Sequence, residues 1–231
     1  MSRACTRCPV CGGTAFRQVD VLWPELVGAW QLAPEEAAFV NRQQGWICTG
    51  CGSNLRSMAL AGAILAAFGA EGLFEAACGR APLAGLRVLE VNPAGTLTPW
   101  LQRIAGHRLV GFPEHDLSAL SFEAGSFDLV VHSDTLEHVT HAQTALAECR
   151  RVLAPDGRCV FTVPVIPTRL TRSRAGLPPS RHGGPGDTRD DYTVHHEFGA
   201  DVWVPVLRAG FASCTLHALE YPAGLAIEAR P

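Results

Sequence analysis

Cys8-Pro9-Val10-Cys11-Gly12 and Cys48-Thr49-Gly50-Cys51-Gly52 are two matching turns. In each, two thiols sit three residues apart, and the glycine that follows lets the backbone aim its amides at sulfur. Two such turns supply four thiolates, the number that tetrahedral Zn²⁺ takes in closed structural sites. The segment between the pairs is longer than in common zinc fingers, which the slow growth of loop-closure cost permits. The spacing predicts one structural Zn²⁺ on Cys8, Cys11, Cys48 and Cys51, with Cys5 as a competing ligand. Cys78, Cys149, Cys159 and Cys214 stand alone in helical or strand-like surroundings and read as plain buried thiols.

A second site is announced by Glu90, near the end of the apolar run Leu86–Val91, and by the turn Asn92-Pro93-Ala94-Gly95-Thr96 behind it. A strand ending in an acidic residue, then a small-residue turn, then a helix is the layout of a nucleotide-type site. The elements that must position it alternate. Pro34 with Glu35 and Glu36 starts a helix expected to reach Arg42. Ser53 or Asn54 caps another that runs to Phe68 and stops at Gly69. Strands are expected at Leu86–Val91, Arg108–Phe112, Phe127–His132 and Arg158–Val163, with an amphipathic helix over Thr140–Leu153. Ala212–Leu219 and Ala223–Ala229 suggest an antiparallel edge. This order predicts a doubly wound α/β sheet.

The chain has 231 residues, enough for one α/β domain plus a small module. Hydrophobic residues make up 47% and charged residues 18%, so a sizeable core is expected. The net charge of −3 gives no general pull toward nucleic acid or anionic membrane. Residues 1–20 lack an apolar leader core, and Met58–Ala70 is too short to span a bilayer. A cytoplasmic protein in a reducing compartment is expected, which favours metal over disulfides for the cysteine pairs. The oligomeric state is left open.

Leu120–Val139 (LSFEAGSFDLVVHSDTLEHV) and Ala147–Val163 (AECRRVLAPDGRCVFTV) resemble the type 11 group of class I S-adenosylmethionine-dependent methyltransferases. The resemblance covers about residues 83–164 and continues more loosely through His196–Asp201. It implies a Rossmann-like methyltransferase sheet in residues 56–231, behind a zinc-ribbon-like module in residues 1–55. It also implies S-adenosylmethionine as cofactor. Glu90 is then expected to organise the methionine end, and Asn92, Ala94 and Gly95 to pass their backbone against it. Asp116 and Leu117 are expected near the adenine, with Glu114 the nearby candidate for the ribose. His132, Ser133 and Asp134 are expected between cofactor and acceptor. Two departures from the family stand out. The usual E-x-G-x-G-x-G glycines are replaced by Asn92, Ala94 and Thr96. Between the second and third cofactor motifs, one strand–helix unit is missing or fused.

Asp134-Thr135-Leu136-Glu137-His138 looks like the E-x-x-E-H of ubiquinone-pathway O-methyltransferases, where those residues hold a divalent ion. On the acceptor side, His132, Asp134, His195 and His196 are the candidate catalytic residues. The long segment at about 165–197 is rich in Gly, Pro and Arg and reads as a lid. Gly183, Gly184 and Gly186 are its expected hinge. Arg169, Arg172, Arg174 and Arg181 are expected to meet an anionic acceptor. The reading is methyl transfer to a small-molecule or glycan-type acceptor. The alternatives are an RNA methyltransferase and a catalytically weak zinc-containing interaction protein.

Overall fold

The computed structural model describes residues 4–182, 184, 189–220 and 223–231. Of the three hinge glycines, Gly183 and Gly186 lie outside the described residues. In chain order the elements begin with β1 (Phe16–Gln18), α1 (Pro24–Trp30), α2 (Pro34–Gly45), β2 (Trp46–Cys48), α3 (Leu55–Ala67) and α4 (Phe74–Ala77). Next come β3 (Arg87–Val91), α5 (Thr98–Leu101), β4 (Gly106–Val110), β5 (Phe127–Ser133), α6 (Ala142–Val152) and β6 (Leu153–Thr162). The chain closes with β7 (Val165–Ile166), β8 (Arg172–Ser173), β9 (His196–Gly199), α7 (Trp203–Arg208), β10 (Ser213–Glu220) and β11 (Gly224–Arg230).

Among the described residues, six strands form the central sheet in the order β10-β11-β6-β5-β3-β4. β4, β3, β5 and β6 are parallel, whereas β11 and β10 run antiparallel at the other end. The fold is thus a Rossmann-like α/β sandwich with the expected antiparallel edge. Residues 111–126, between β4 and β5, hold only turns, and β4 is the sheet edge. The strand–helix unit missing from the sequence is missing from the sheet.

The parallel strands are buried on both faces, and their side chains alternate between two cores. Val88, Leu129, Val131 and Val160 meet α3, while Leu89, Val130, Cys159 and Phe161 meet α6 and α7. α3 is apolar nearly all round and lies across β6, β10 and β11. Its start follows from Asn54, whose side chain accepts from the Ser57 amide at 2.9 Å.

The two cysteine turns are built into this frame. Pro9 and Val10 carbonyls accept from the Phe74 and Glu75 amides at 3.0 and 3.1 Å, so the first turn seats the start of α4. The Ser53 and Thr96 hydroxyls are 2.7 Å apart and tie the second turn to the loop after β3. α1 and α2 then cover the small sheet β7-β9-β8, where Leu26, Trp30, Leu32, Ile166 and Val194 form a third core.

The arginines of the expected lid have partners within the chain, which corrects the expectation that they await an anionic acceptor. Arg169 grips Glu36 of α2 and donates to the Trp30 carbonyl at 2.9 Å. Arg172 and Arg174 share Glu197, and Arg181 pairs with Asp190. Arg169 holds the Glu36 carboxyl down at about 2, helped by Thr168 and the Ala33 amide and opposed by burial. A lowered folded value stabilises above the ordinary value of 4.5, and that stability is lost as pH falls toward 2. Urea unfolding between pH 4.5 and 2 should therefore show a falling midpoint. In Glu36→Gln the fall should shrink and the midpoint at neutral pH should already be lower.

Candidate active site

The chain leaves β3 toward β4 on one side, then returns to β5 on the other. The carboxyl ends of β3 and β5 therefore flank a topological switch point, where open α/β sheets bind ligands. A cavity of about 920 Å³ lies there. Three loops line it: Asn92, Pro93 and Gly95 after β3; Phe112, His115, Asp116, Leu117 and Ser118 after β4; and Ser133, Asp134 and Thr135 after β5. His138, Asp190, Asp191, Tyr192 and His195 close its far side.

The turn after β3 reaches this shape without the usual glycines. Asn92 (φ 56°) and Gly95 (φ 58°) are both left-handed, and Asn92 Oδ1 accepts from the Phe112 amide at 3.3 Å. A Cβ on Gly95 would lie 2.7 Å from Ser57 Oγ, so only glycine lets α3 approach the turn this closely. Asp116 is exposed, and its carboxylate accepts from the Ser118 amide at 2.7 Å, leaving acceptor capacity toward the cleft. Phe112 presents a ring that is 58% exposed.

Asn92, Gly95, Asp116, Leu117, Ser133, Asp134 and His195 thus line one cleft, whereas five other expected site residues do not. Glu90 is fully buried, and its carboxylate accepts from the Ala94 amide (2.7 Å) and the Thr98 hydroxyl (2.5 Å) and contacts His107 Nε2 (2.6 Å). It braces the turn from behind. Ala94 is buried with it. Glu114 is exposed and is not among the residues that line the cleft. His132 is fully buried on the α6 face of β5, stacked on Phe161 at 4.8 Å and grouped with Cys149 and Cys159. His196 contacts the Thr140 carbonyl at 3.1 Å and lines a separate groove beside α6 and α7.

Two residues that the sequence did not single out stand behind the cleft wall: Arg56, buried beside Asp134, and His182 near Glu137. Arg56 sits in the first turn of α3, 7% exposed, and pairs with Asp134. A lone arginine inside the apolar run LRSMALAGAILAA was the available signal. Asp134 is left-handed (φ 49°) and only 27% exposed. Burial raises its carboxyl to about 6; Arg56 opposes this and Glu137 adds to it. Removing one partner of such a pair strands the other charge. Arg56→Met should cost about 3 kcal/mol in urea unfolding, and Arg56→Met with Asp134→Leu should recover much of it.

Four thiols meet at the N-terminus. Cys8 and Cys51 sulfurs are 3.7 Å apart, and Cys11 and Cys48 sulfurs 3.6 Å. The two turns repeat one hydrogen-bond pattern: Gly12 N–H donates to the Cys8 carbonyl and Gly52 N–H to the Cys48 carbonyl. Gly12 (φ 78°) and Gly52 (φ 77°) are left-handed alike. Cys5 lies outside the group, its sulfur near the Arg7 carbonyl and Met58 Sδ.

Residues 68–161 match a methyltransferase domain family. That segment runs from the end of α3 to β6 and holds the three loops of the cleft. Demethylmenaquinone methyltransferase from Clavibacter sepedonicus is 38% identical over 76 residues, which are 32% of this chain and 31% of that protein. The chain thus matches about a third of that relative's length. Among solved structures, an S-adenosylmethionine-dependent methyltransferase from Mesorhizobium loti is 18% identical, over 64% of this chain and 91% of that one, with a TM-score of 0.41. A Thermotoga maritima S-adenosylmethionine-dependent methyltransferase is 15% identical, over 76% and 89%, with a TM-score of 0.44. No helix among the described residues is long and apolar enough to cross a membrane.

Proposed function

We propose that this chain transfers a methyl group from S-adenosylmethionine to a small-molecule acceptor. The observation that carries the reading is the cleft of about 920 Å³ at the switch point of a methyltransferase domain. Its size suits a cofactor with a small acceptor. Its wall carries an exposed phenyl ring at Phe112 and a free acceptor edge at Asp116, and Asp134 at its margin keeps a buried, unpartnered Oδ1. Phe112, Asp116 and Leu117 would hold the adenosine part, and the turn Asn92–Gly95 the amino-acid part. Bound there, the cofactor supplies an electrophilic methyl group on a sulfonium.

Alignment of acceptor and methyl carries much of such a barrier. Ser133, Asp134 and Thr135 lie on the acceptor side, and Tyr192 and His195 roof it, excluding water. A hydroxyl or ammonium acceptor must also lose a proton. Asp134, poised at about 6, and His195 are the groups to take it. Asp116, Asp190 and Asp191 at the cleft disfavour a polyanion, and with the lid arginines already paired they argue against RNA as substrate.

We further propose one structural Zn²⁺ on Cys8, Cys11, Cys48 and Cys51. Four sulfurs at about 2.3 Å from a tetrahedral ion lie roughly 3.8 Å apart, close to the separations between these thiols. Such a site is closed and does no chemistry.

A second reading, an interaction protein without transfer activity, is favoured by one observation: both Glu90 oxygens are engaged internally. The two separate when purified protein is given methyl-labelled S-adenosylmethionine and a cell extract fractionated by size and class. Label in a small-molecule product supports transfer as proposed. Label in RNA alone, or in no fraction, overturns it.

A further inference from the structure

Beside the cleft, three side chains from distant segments converge. Glu137 and His138 end the short turn after β5, and His182 follows Arg181, which bridges to Thr193. A carboxylate oxygen and one nitrogen from each ring all lie within 4.8 Å of one another. Glu137 is 1% exposed, and neither of its oxygens has a hydrogen-bond partner among the described residues. A carboxylate so placed is costly unless a cation or donors meet it. His182 Nε2 is the nearer ring atom, 3.6 Å away, beyond hydrogen-bond reach, and it too is buried without a partner.

The second histidine is already oriented. His138 Nδ1 lies 3.1 Å from the Thr193 carbonyl, so that nitrogen carries the proton. Its Nε2, 4.0 Å from the Glu137 carboxylate, is left with its lone pair free. A backbone carbonyl fixing the far nitrogen is the usual support of a metal-binding imidazole. Trp30 packs edge-on against His182 at 5.8 Å, and the two imidazoles lie 4.7 Å apart. Asp134 is not part of this group, because Arg56 engages it.

We propose that Glu137, His138 and His182 bind one divalent transition-metal ion through a carboxylate oxygen and two imidazole nitrogens. Two nitrogen donors disfavour magnesium and calcium and suit manganese, iron or zinc. Three protein ligands leave coordination positions open. His138 lines the cleft, so water or an oxygen of a bound small molecule can complete the shell there. The site is independent of the four-thiol site and of whether methyl transfer occurs.

The test uses the full chain carrying no more than one zinc per chain, which the four thiols take first, titrated with Mn²⁺ and followed by electron paramagnetic resonance. The expected result is one bound Mn²⁺ per chain with couplings from two imidazole nitrogens. Glu137→Gln and His182→Ala should each weaken it by about tenfold or more. His196→Ala, a histidine of the separate groove, should leave it unchanged. His182→Ala changes a residue outside the central cores, so it reports even if Glu137→Gln fails to fold. The proposal is overturned if neither Mn²⁺ nor Co²⁺ binds, if no nitrogen coupling is seen, or if His182→Ala binds as wild type does.

Discussion

Cys48→Ser together with Cys51→Ser should leave the protein without zinc and lower its melting temperature by about 10 °C or more. The expected loss is large because a structural zinc contributes its binding energy to folding, on the order of 10 kcal/mol in isolated fingers. Here the ion would also hold together pieces that the main sheet depends on. Cys8, Val10 and Cys48 belong to the same core as α3 and Val88. The Pro9 and Val10 carbonyls cap the start of α4, and Ser53 reaches Thr96 in the turn after β3. Losing the metal should therefore loosen the loop after β3 as well as the N-terminus. Metal analysis with thermal unfolding, with and without a strong chelator, checks it. Zinc retained by the double variant, or a wild type without zinc, would remove the four-thiol assignment.

Gly95→Ala should cost about 3 kcal/mol and sharply weaken cofactor binding. Two penalties combine. The position is left-handed, which an L side chain adopts only under strain of about 1 kcal/mol. The added Cβ would also lie 2.7 Å from Ser57 Oγ, forcing α3 and the turn apart. A double-mutant cycle separates the two. Ser57→Ala removes the offending oxygen and leaves a methyl carbon 3.9 Å away. Gly95→Ala should thus be milder in the Ser57→Ala background by about 1–2 kcal/mol, with only the backbone strain remaining. Equal cost in both backgrounds would mean that contact with α3 does not shape the turn.

Much of this fold is legible in the chain. Asn54 caps α3 as its type and place require, and Gly69 (φ 62°) ends the helix. The four apolar runs become the four parallel strands, with ends shifted by a few residues. The four thiols meet as their paired turns demand. What could not be read is contact between distant segments. Nothing near Arg169 in sequence announces Glu36, and nothing near Asp134 announces Arg56, so the arginines of the expected lid looked free and the acid looked unpaired. His132 lies away from the cleft for a different reason. β5 continues through Ser133, so strand alternation turns His132 inward beside Val130 and leaves Ser133 and Asp134 at the cleft. Glu90 has the right type and place, but His107 on the neighbouring strand takes up its carboxylate.

S-adenosylmethionine is expected to bind in the switch-point cleft. Calorimetric titration with S-adenosylhomocysteine tests it most directly, using wild type, Asp116→Ala and His196→Ala. The expected result is one site per chain, affinity about tenfold lower in Asp116→Ala through loss of one hydrogen bond, and no change in His196→Ala. No binding to the zinc-loaded wild type, or affinity equal in wild type and Asp116→Ala, would contradict it.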